Sequence, residues 1–314
     1  MSKLSGVDVL ADILTAMRVG RPVAALTEVH APWGLRFDQV LGAAFHVVLQ
    51  GSCQLVPLPG TAFAEVQLGP GDVVLLGGGT PHAIVSAPDA PRTPFAPVRD
   101  RPGGSFGRFT LPGSGARSTI VCGAYKLMRH RPHPLLRDLP EVLHLPAAPG
   151  RNPNLRAMVD LLGAELHEAP PGAAAVAPAL VDALLVYLIR AWMSGSENST
   201  TSWSAALSDP EISPVLAAMH ADPRRAWTVQ QLAAVAGLSR AAFARRFTSV
   251  VGEPPLTYFT RWRMTIAAQL LRTTDHTLAR VADAVGYGSP FAFAKAFTRE
   301  YATTPGSYRA EPGG

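Results

Sequence analysis

The sequence predicts an α+β protein, strand-rich in its N-terminal half and entirely helical in its C-terminal third. Three observations predict it. Residues 20–150 are rich in Pro, Gly, Val and Leu, with short apolar runs split by turn residues. Residues 152–193 change to helical apolar spacing. The last hundred residues contain an internal repeat, and each copy reads as helix, sharp turn, helix. A chain of 314 residues has room for two domains, and 47% apolar content is ample for their cores.

The opening MSKLSGVDVLADILTAMRVG reads as a short amphipathic helix. Asp8, Asp12 and Arg18 interrupt it, so it lacks the compact apolar core of a secretory signal. No run approaches 18 uninterrupted apolar residues, no membrane span is expected, and the chain is read as cytoplasmic. AAFHVVLQGSCQLVPLPG, AEVQLGPGDVVLLGGG, HAIVS and STIVCGAYKL then read as strands joined by tight turns. The proline-rich segment Ala87–Ser105 cannot be a central strand and reads as a flexible loop.

The helical hairpin follows. Asn152 or Asn154 is a suitable N-cap, and Leu155, Met158, Leu161, Leu162 and Leu166 fall on one side. APPG turns the chain into APALVDALLVYLIRAWM, apolar almost all round apart from Asp182 and Arg190. Such a helix must be covered on several sides. The first domain and a second copy in a homodimer are both candidate covers. The expected division is therefore 1–150 for the strand domain, 151–193 for the hairpin, 194–209 for a polar linker around SGSENSTTS, and 210–314 for the last domain.

Charge separates the domains. Of 28 Lys+Arg and 23 Asp+Glu, 12 and 7 lie from Pro210 onward, which leaves 16 of each before it. The whole net charge of +5 is carried by the helical third, which points to nucleic-acid binding, with a solvated basic surface as the alternative. Nucleophile-elbow, phosphate-loop and zinc-ligand spacings are absent. The two cysteines, Cys53 and Cys122, read as free thiols.

In the repeat, Thr228–Tyr258 aligns with Thr277–Tyr308. Thr228, Leu232, Ala233 and Gly237 match Thr277, Val281, Ala282 and Gly286; after a one-residue slip, Phe243, Phe247, Pro255 and Tyr258 match Phe293, Phe297, Pro305 and Tyr308. The threonines are suitable N-caps, and the glycines stand where the first helix must stop. FAFAKAF (Phe291–Phe297) alternates like a strand, yet its counterpart AAFARRF is plainly helical. It is read as a helix with Phe293 and Phe297 inward and Phe291 pointing away, either exposed toward a thymine methyl or packed on a neighbouring helix.

The second helix of such a unit enters the major groove with its N-terminal half at the base edges. The outward candidates are Ser239, Arg240, Ala241, Ala244 and Arg245 in copy one, and Ser289, Pro290, Phe291, Ala294 and Lys295 in copy two. Arg245 is the strongest, for a bidentate guanine contact. Arg246, Arg261, Arg263 and Arg299 are read as phosphate contacts or solvated charges. PPLTYFTRWRMTIAAQLLRTT forms the rigid connector between the copies.

Taken together, the two units, the connector RWRMTIAAQLLR and VADAVGYGSPFAFAKAFTREYATTPGSYR resemble the AraC/XylS family of bacterial transcription regulators. Pro290 and Phe291 depart from the polar residues many members carry there. FHVVLQG and GDVVLLGGGTPH resemble the first and second motifs of a cupin-type sensor domain, with Gly77 in place of a proline; IVCGAYKL and HPLLRDLPEVLHL resemble the branch that includes a reactive-chlorine-responsive activator. The resemblance implies a cupin-like β-barrel that responds to a small molecule or oxidant. It also implies promoter DNA and RNA polymerase as partners, and activation rather than repression. Cupin enzymes bind a metal through an HxH pair with Glu and a distal His. Here Val48 takes the place of the second His, so His46 and His82 form an incomplete set unless His30, His144 or a carboxylate joins. Cys53 and Cys122 are the candidate redox pair. The competing expectation is a cupin metalloenzyme, a dioxygenase or isomerase, fused to a DNA-binding domain.

Overall fold

The computed structural model describes residues 7–38, 40, 42–99, 104–128, 133–148, 150–195 and 203–310. Most of SGSENSTTS lies outside the described residues. The chain folds as two compact units that are not contiguous in sequence. Met1–Val19, His130–Asp138 and Ser196–Gly314 make a helical unit, and Gly20–Arg129 with Leu139–Gly195 make a sheet unit. The helical unit thus takes α1 (Val9–Met17) and α2 (Pro134–Arg137), both within the stretch that the sequence assigns to the strand domain.

The sheet unit contains β1 (Val23–His30), β2 (Gly34–Phe37), β3 (Ala43–Gln50), β4 (Cys53–Pro57), β5 (Val66–Leu68), β6 (Val73–Leu76) and β7 (His82–Val85). It continues with β8 (Arg92–Pro94), β9 (Val98–Arg99), β10 (Phe106–Leu111), β11 (Arg117–Tyr125) and β12 (Val142–Leu145). These form a seven-stranded sheet, β12-β6-β3-β11-β1-β10-β9, and a five-stranded sheet, β5-β4-β7-β2-β8. One buried core joins them: Val29, Ala44, Val48, Ile120 and Cys122 from the first sheet meet Trp33, Leu35, Phe37, Leu55 and Ile84 from the β2, β4 and β7 side. The proline-rich segment supplies β8 and β9, each the last strand of its sheet, where proline's missing N–H is tolerated.

Helices α3 (Pro153–Glu168) and α4 (Ala173–Gly195) pack on each other and on the outer face of the larger sheet. Tyr125 donates its hydroxyl to the Val181 carbonyl at 2.8 Å, and Gly163 sits directly over Leu49. β3 is therefore covered on both faces, which explains why AAFHVVLQ is apolar without alternation. In α3 the buried stripe is Leu155, Val159 and Leu162, spaced i, i+4, i+7, while Leu161 stays half exposed. That corrects the side expected from the leucines, because Val159 rather than Leu161 completes the stripe. α4 is long and apolar enough to cross a membrane by composition, yet its Ala177, Val181, Leu184, Leu185, Leu188 and Ile189 are buried within the unit.

The helical unit continues with α5 (Trp203–Ser208), α6 (Ser213–Ala221), α7 (Val229–Val235), α8 (Arg240–Val251), α9 (Pro255–Thr273), α10 (Leu278–Ala284), α11 (Pro290–Tyr301) and α12 (Pro305–Ala310). The expected linker is shorter than its 194–209 span, since α5 is helical and buries Trp203 and Ala206. α9 is the hub against which α1, α8, α10, α11 and α12 pack, and α1 also touches α6.

Candidate nucleic-acid interface and sensor cavity

Helices α7–α8 and α10–α11 are two copies of one local design. Thr228 caps α7 in a reciprocal box with Gln231, and Thr277 caps α10 through the Arg280 amide at 3.3 Å. Gly237 and Gly286 end those helices at φ of 68° and 72°. Ser239 and Ser289 cap α8 and α11 by accepting from the Ala242 and Ala292 amides at 3.3 and 3.1 Å. Phe243, Phe247 and Val251 are buried along α8, and Phe293, Phe297 and Tyr301 along α11. FAFAKAF is thus helical, and Phe291 is 81% exposed rather than packed on a neighbour.

The structure sorts the cations of this unit into two sets. Arg246 pairs with Asp209 and Glu211, and Arg261 with Glu253 and Glu300. Arg224 pairs with Asp283 at 2.8 Å. Arg263 lies against Phe259 and Tyr287 and donates to the Val285 carbonyl, while Arg272 covers Tyr308. Arg261 and Arg263 therefore serve the fold in this conformation, and Arg246, though still exposed, is neutralised by two carboxylates. Arg240 and Arg245 on α8 and Lys295 and Arg299 on α11 are exposed and have no ion pair among the described residues. Ala241 and Pro290 are exposed beside them; Ala244 and Ala294 are half-buried on the shoulders of the same helices. A single stripe along each second helix carries Ala241 and Arg245 in the first copy, and Phe291, Lys295 and Arg299 in the second.

A second polar site, buried, is carried by residues far apart in sequence. The Leu135 amide donates to His133 Nδ1 at 3.2 Å, so His133 holds its proton on Nε2 and faces the Tyr258 hydroxyl at 3.3 Å. Tyr258 in turn lies 2.6 Å from His220 Nε2, and His220 Nδ1 faces the Asp12 carboxylate at 3.4 Å, an ion pair only when the imidazole is protonated. His220 stacks on Trp262 and His133 packs edge-on against Trp203. Burial lowers both imidazole pKa values. This network ties α1 and the α2 segment to α6 and α9 inside the helical unit. No local spacing in the sequence announces it.

In the sheet unit, His46 on β3 and His82 on β7 meet across the core, Nε2 to Nε2 at 2.8 Å. His82 Nδ1 lies 2.7 Å from the Thr80 carbonyl, which only accepts, so Nδ1 carries the proton and Nε2 is bare. His46 must then donate from Nε2, which leaves its buried Nδ1 as an acceptor without a partner. Phe37 stacks on His82 at 4.7 Å. Burial pushes His82 down to about 4 and His46 well below its ordinary value, with His82 adding to the effect on His46.

This pair does not fit a metal as it stands. Two imidazoles on one tetrahedral ion sit about 3.3 Å apart and both offer lone pairs, whereas these share a proton. Among the described residues no group of three His, Cys, Asp or Glu converges. His144 is paired with Asp72 at 3.1 Å instead. Cys53 and Cys122 are buried free thiols, both pushed up to about 12 by burial, which opposes thiolate chemistry in this conformation.

Beside the histidines one end of the sandwich opens into a cavity of about 480 Å³. Phe37, Val40, Phe95, Phe106 and Cys122 line it, with Arg36, Asp38 and Lys126 among its polar residues. Of these the sequence singled out only Cys122.

Comparison with known proteins finds two families along the chain. A family model described as Cupin matches residues 8–194, and one described as Helix-turn-helix domain matches 232–311. A putative AraC-like transcription regulator of Streptomyces lividans is 32% identical over 97% of this chain and 99% of its own. The RCS-specific transcriptional activator RclR of Escherichia coli K12 is 32% identical over 84% of this chain and 83% of its own. Among solved structures, the DNA-binding domain of AdpA, in complex with a target DNA, is 36% identical over 32% of this chain and 91% of that one, with a TM-score of 0.31. The chain belongs to the AraC-like transcription regulators, DNA-binding proteins built here from an N-terminal cupin domain and a C-terminal pair of helix-turn-helix units.

Proposed function

We propose that this regulator activates transcription by laying α8 and α11 in successive major grooves of promoter DNA, under control of a small molecule held in the sheet unit. The observation that carries the reading is the sorting of cations. Those on the outward faces of α8 and α11 have no ion pair among the described residues, while Arg224, Arg246, Arg261, Arg263 and Arg272 are tied into the unit. Arg240 and Arg245 read base edges, Lys295 and Arg299 face phosphate, and Ser239 and Ser289 set the helix starts. DNA places the protein in the cytoplasm, and RNA polymerase is the partner that activation requires.

The cavity supports a small-molecule signal over an oxidant. Its aromatic and aliphatic walls, with Lys126 at hand and Arg36 paired to Asp38, suit a molecule with an apolar body and an anionic end. The deeply buried thiols suit an oxidant less well. The signal reaches α9 through the chain itself: the segments before and within the sheet unit's sequence, α1 and α2, end in the Asp12–His220–Tyr258–His133 network on that helix. The half-buried flank of α4 is the surface for a homodimer. The protein works as a binder rather than a catalyst, because His46 and His82 are engaged with each other.

Electrophoretic mobility shift with duplex selected from a random pool tests the DNA reading. Arg245→Ala should weaken the selected duplex by roughly 10- to 100-fold, for a lost bidentate contact of about 1–3 kcal/mol, and relax the preference at one base pair. Unchanged affinity and preference would remove Arg245 from base reading.

A further inference from the structure

The two second helices present different chemistry on the same stripe. Where α8 carries Ala241 and Arg245, α11 carries Phe291 and Lys295. Phe291 occupies the second position of α11, is 81% exposed and makes no ring contact among the described residues. Around it this face has almost nothing with which to hydrogen-bond a base edge. Pro290 lacks an N–H, Ala292 and Ala294 are methyls, and the Ser289 hydroxyl already accepts from the Ala292 amide, which leaves it one O–H to donate. A lone exposed ring is ordinary at a protein surface; what sets Phe291 apart is its place at the start of the outward stripe of α11. Phe293 and Phe297 already hold α11 in the core, so Phe291 is not needed for folding.

Charge says what this stripe fits. Lys295 and Arg299 follow Phe291 at i+4 and i+8 on the same stripe, exposed and without ion pairs among the described residues. An apolar tip at the start of a helix, continued by two cations, complements a base edge flanked by phosphates. The apolar feature on a base edge in the major groove is the C5-methyl group of thymine. We infer that α11 selects DNA through Phe291 packed on thymine methyls, so that the first helix-turn-helix unit reads by hydrogen bonds and the second by methyl contact. The inference rests on the DNA-binding reading above and specifies what the second unit recognises.

The test uses full-length protein and the operator selected from random duplex. Each thymine in turn is replaced by deoxyuridine, which removes the methyl and leaves every hydrogen-bonding atom in place. At one or two positions in the half bound by the second unit, wild type should lose about fourfold in affinity, the value of one buried carbon. Phe291→Ala should bind the thymine operator about fivefold less tightly and should not distinguish thymine from uracil at those positions; Phe291→Leu should restore the distinction in part. Its thermal unfolding should match wild type, as the ring is exposed. Wild type indifferent to uracil throughout a selected operator would overturn this inference alone. So would Phe291→Ala keeping the wild-type ratio, or keeping DNA affinity while losing transcription with purified polymerase, which would give the ring to a protein partner. Failure to select any sequence would sink the DNA reading and this one with it.

Discussion

Acidification should loosen the sheet unit well before its carboxylates titrate, and the cause is the histidine pair in its core. In the unfolded chain each imidazole takes up a proton near pH 6.5. In the folded unit His82 does so only at about 4, since the charged form would be stranded between Phe37 and the apolar core. Between those values the unfolded chain binds more protons, so each pH unit lost favours unfolding by about 1.36 kcal/mol. From pH 6.5 to 4.5 His82 alone therefore removes about 2 kcal/mol, since the slope is partial near each pKa, and His46, also lowered, acts in the same direction. Above about pH 7.5 neither state changes protonation appreciably and this source contributes almost no slope. Against a typical domain stability of about 5–15 kcal/mol the loss is large. Hydrogen exchange read by mass spectrometry on peptides covering Ala43–Gln50 and His82–Val85 isolates the sheet unit from the helical one. After correction for intrinsic rates, opening free energies there should be nearly level from pH 8 to 7 and fall by about 2 kcal/mol or more by pH 4.5. Equal opening free energies at pH 7 and 4.5 would refute the neutral, mutually bonded pair.

Two further predictions concern the helical unit. A Cβ at Gly286 would meet Arg263 Nη2 at 2.0 Å and the Arg224 carbonyl at 2.4 Å, whereas nothing lies within 4 Å of one at Gly237. Gly237→Ala should therefore cost about 1–2 kcal/mol for the left-handed backbone alone, and Gly286→Ala about 3 kcal/mol or more; equal costs in thermal unfolding would contradict the described turn. Tyr258→Phe leaves the facing nitrogens of His133 and His220 without partners. It should destabilise the unit by about 2–3 kcal/mol and speed exchange in Val9–Met17, whereas a fully stable variant would show that the hydroxyl bridges nothing of value.

Much of this protein is written in local spacing. The i, i+4 phenylalanines, the threonine and serine caps and the two turn glycines are short-range signals, and they place both helix-turn-helix units without further help. Phe291 was legible as the odd residue of FAFAKAF but not as exposed, because exposure depends on which neighbours surround α11. The cations show the same limit. Arg245 and Arg246 are adjacent and look alike in sequence, yet one turns to solvent and the other to Asp209 and Glu211. Helical phase separates them by about 100°, and the position of the segment before α6 decides which one is neutralised.

What stays illegible is whatever joins distant segments. His133 and Tyr258 are 125 residues apart, and Asp12 lies in a helix whose sequence position assigns it to the strand domain. A contiguous division of the chain at residue 150 therefore separates groups that share one buried network. The histidine pair shows the same thing from the other side. The motifs single out His46 and His82, and the two rings meet in the core. Whether two imidazoles brought together chelate or bond to each other depends on a third ligand and on the Thr80 carbonyl, which fixes the tautomer of one and hence of the other. The motifs pick out the residues; only the surrounding backbone determines what they do on meeting.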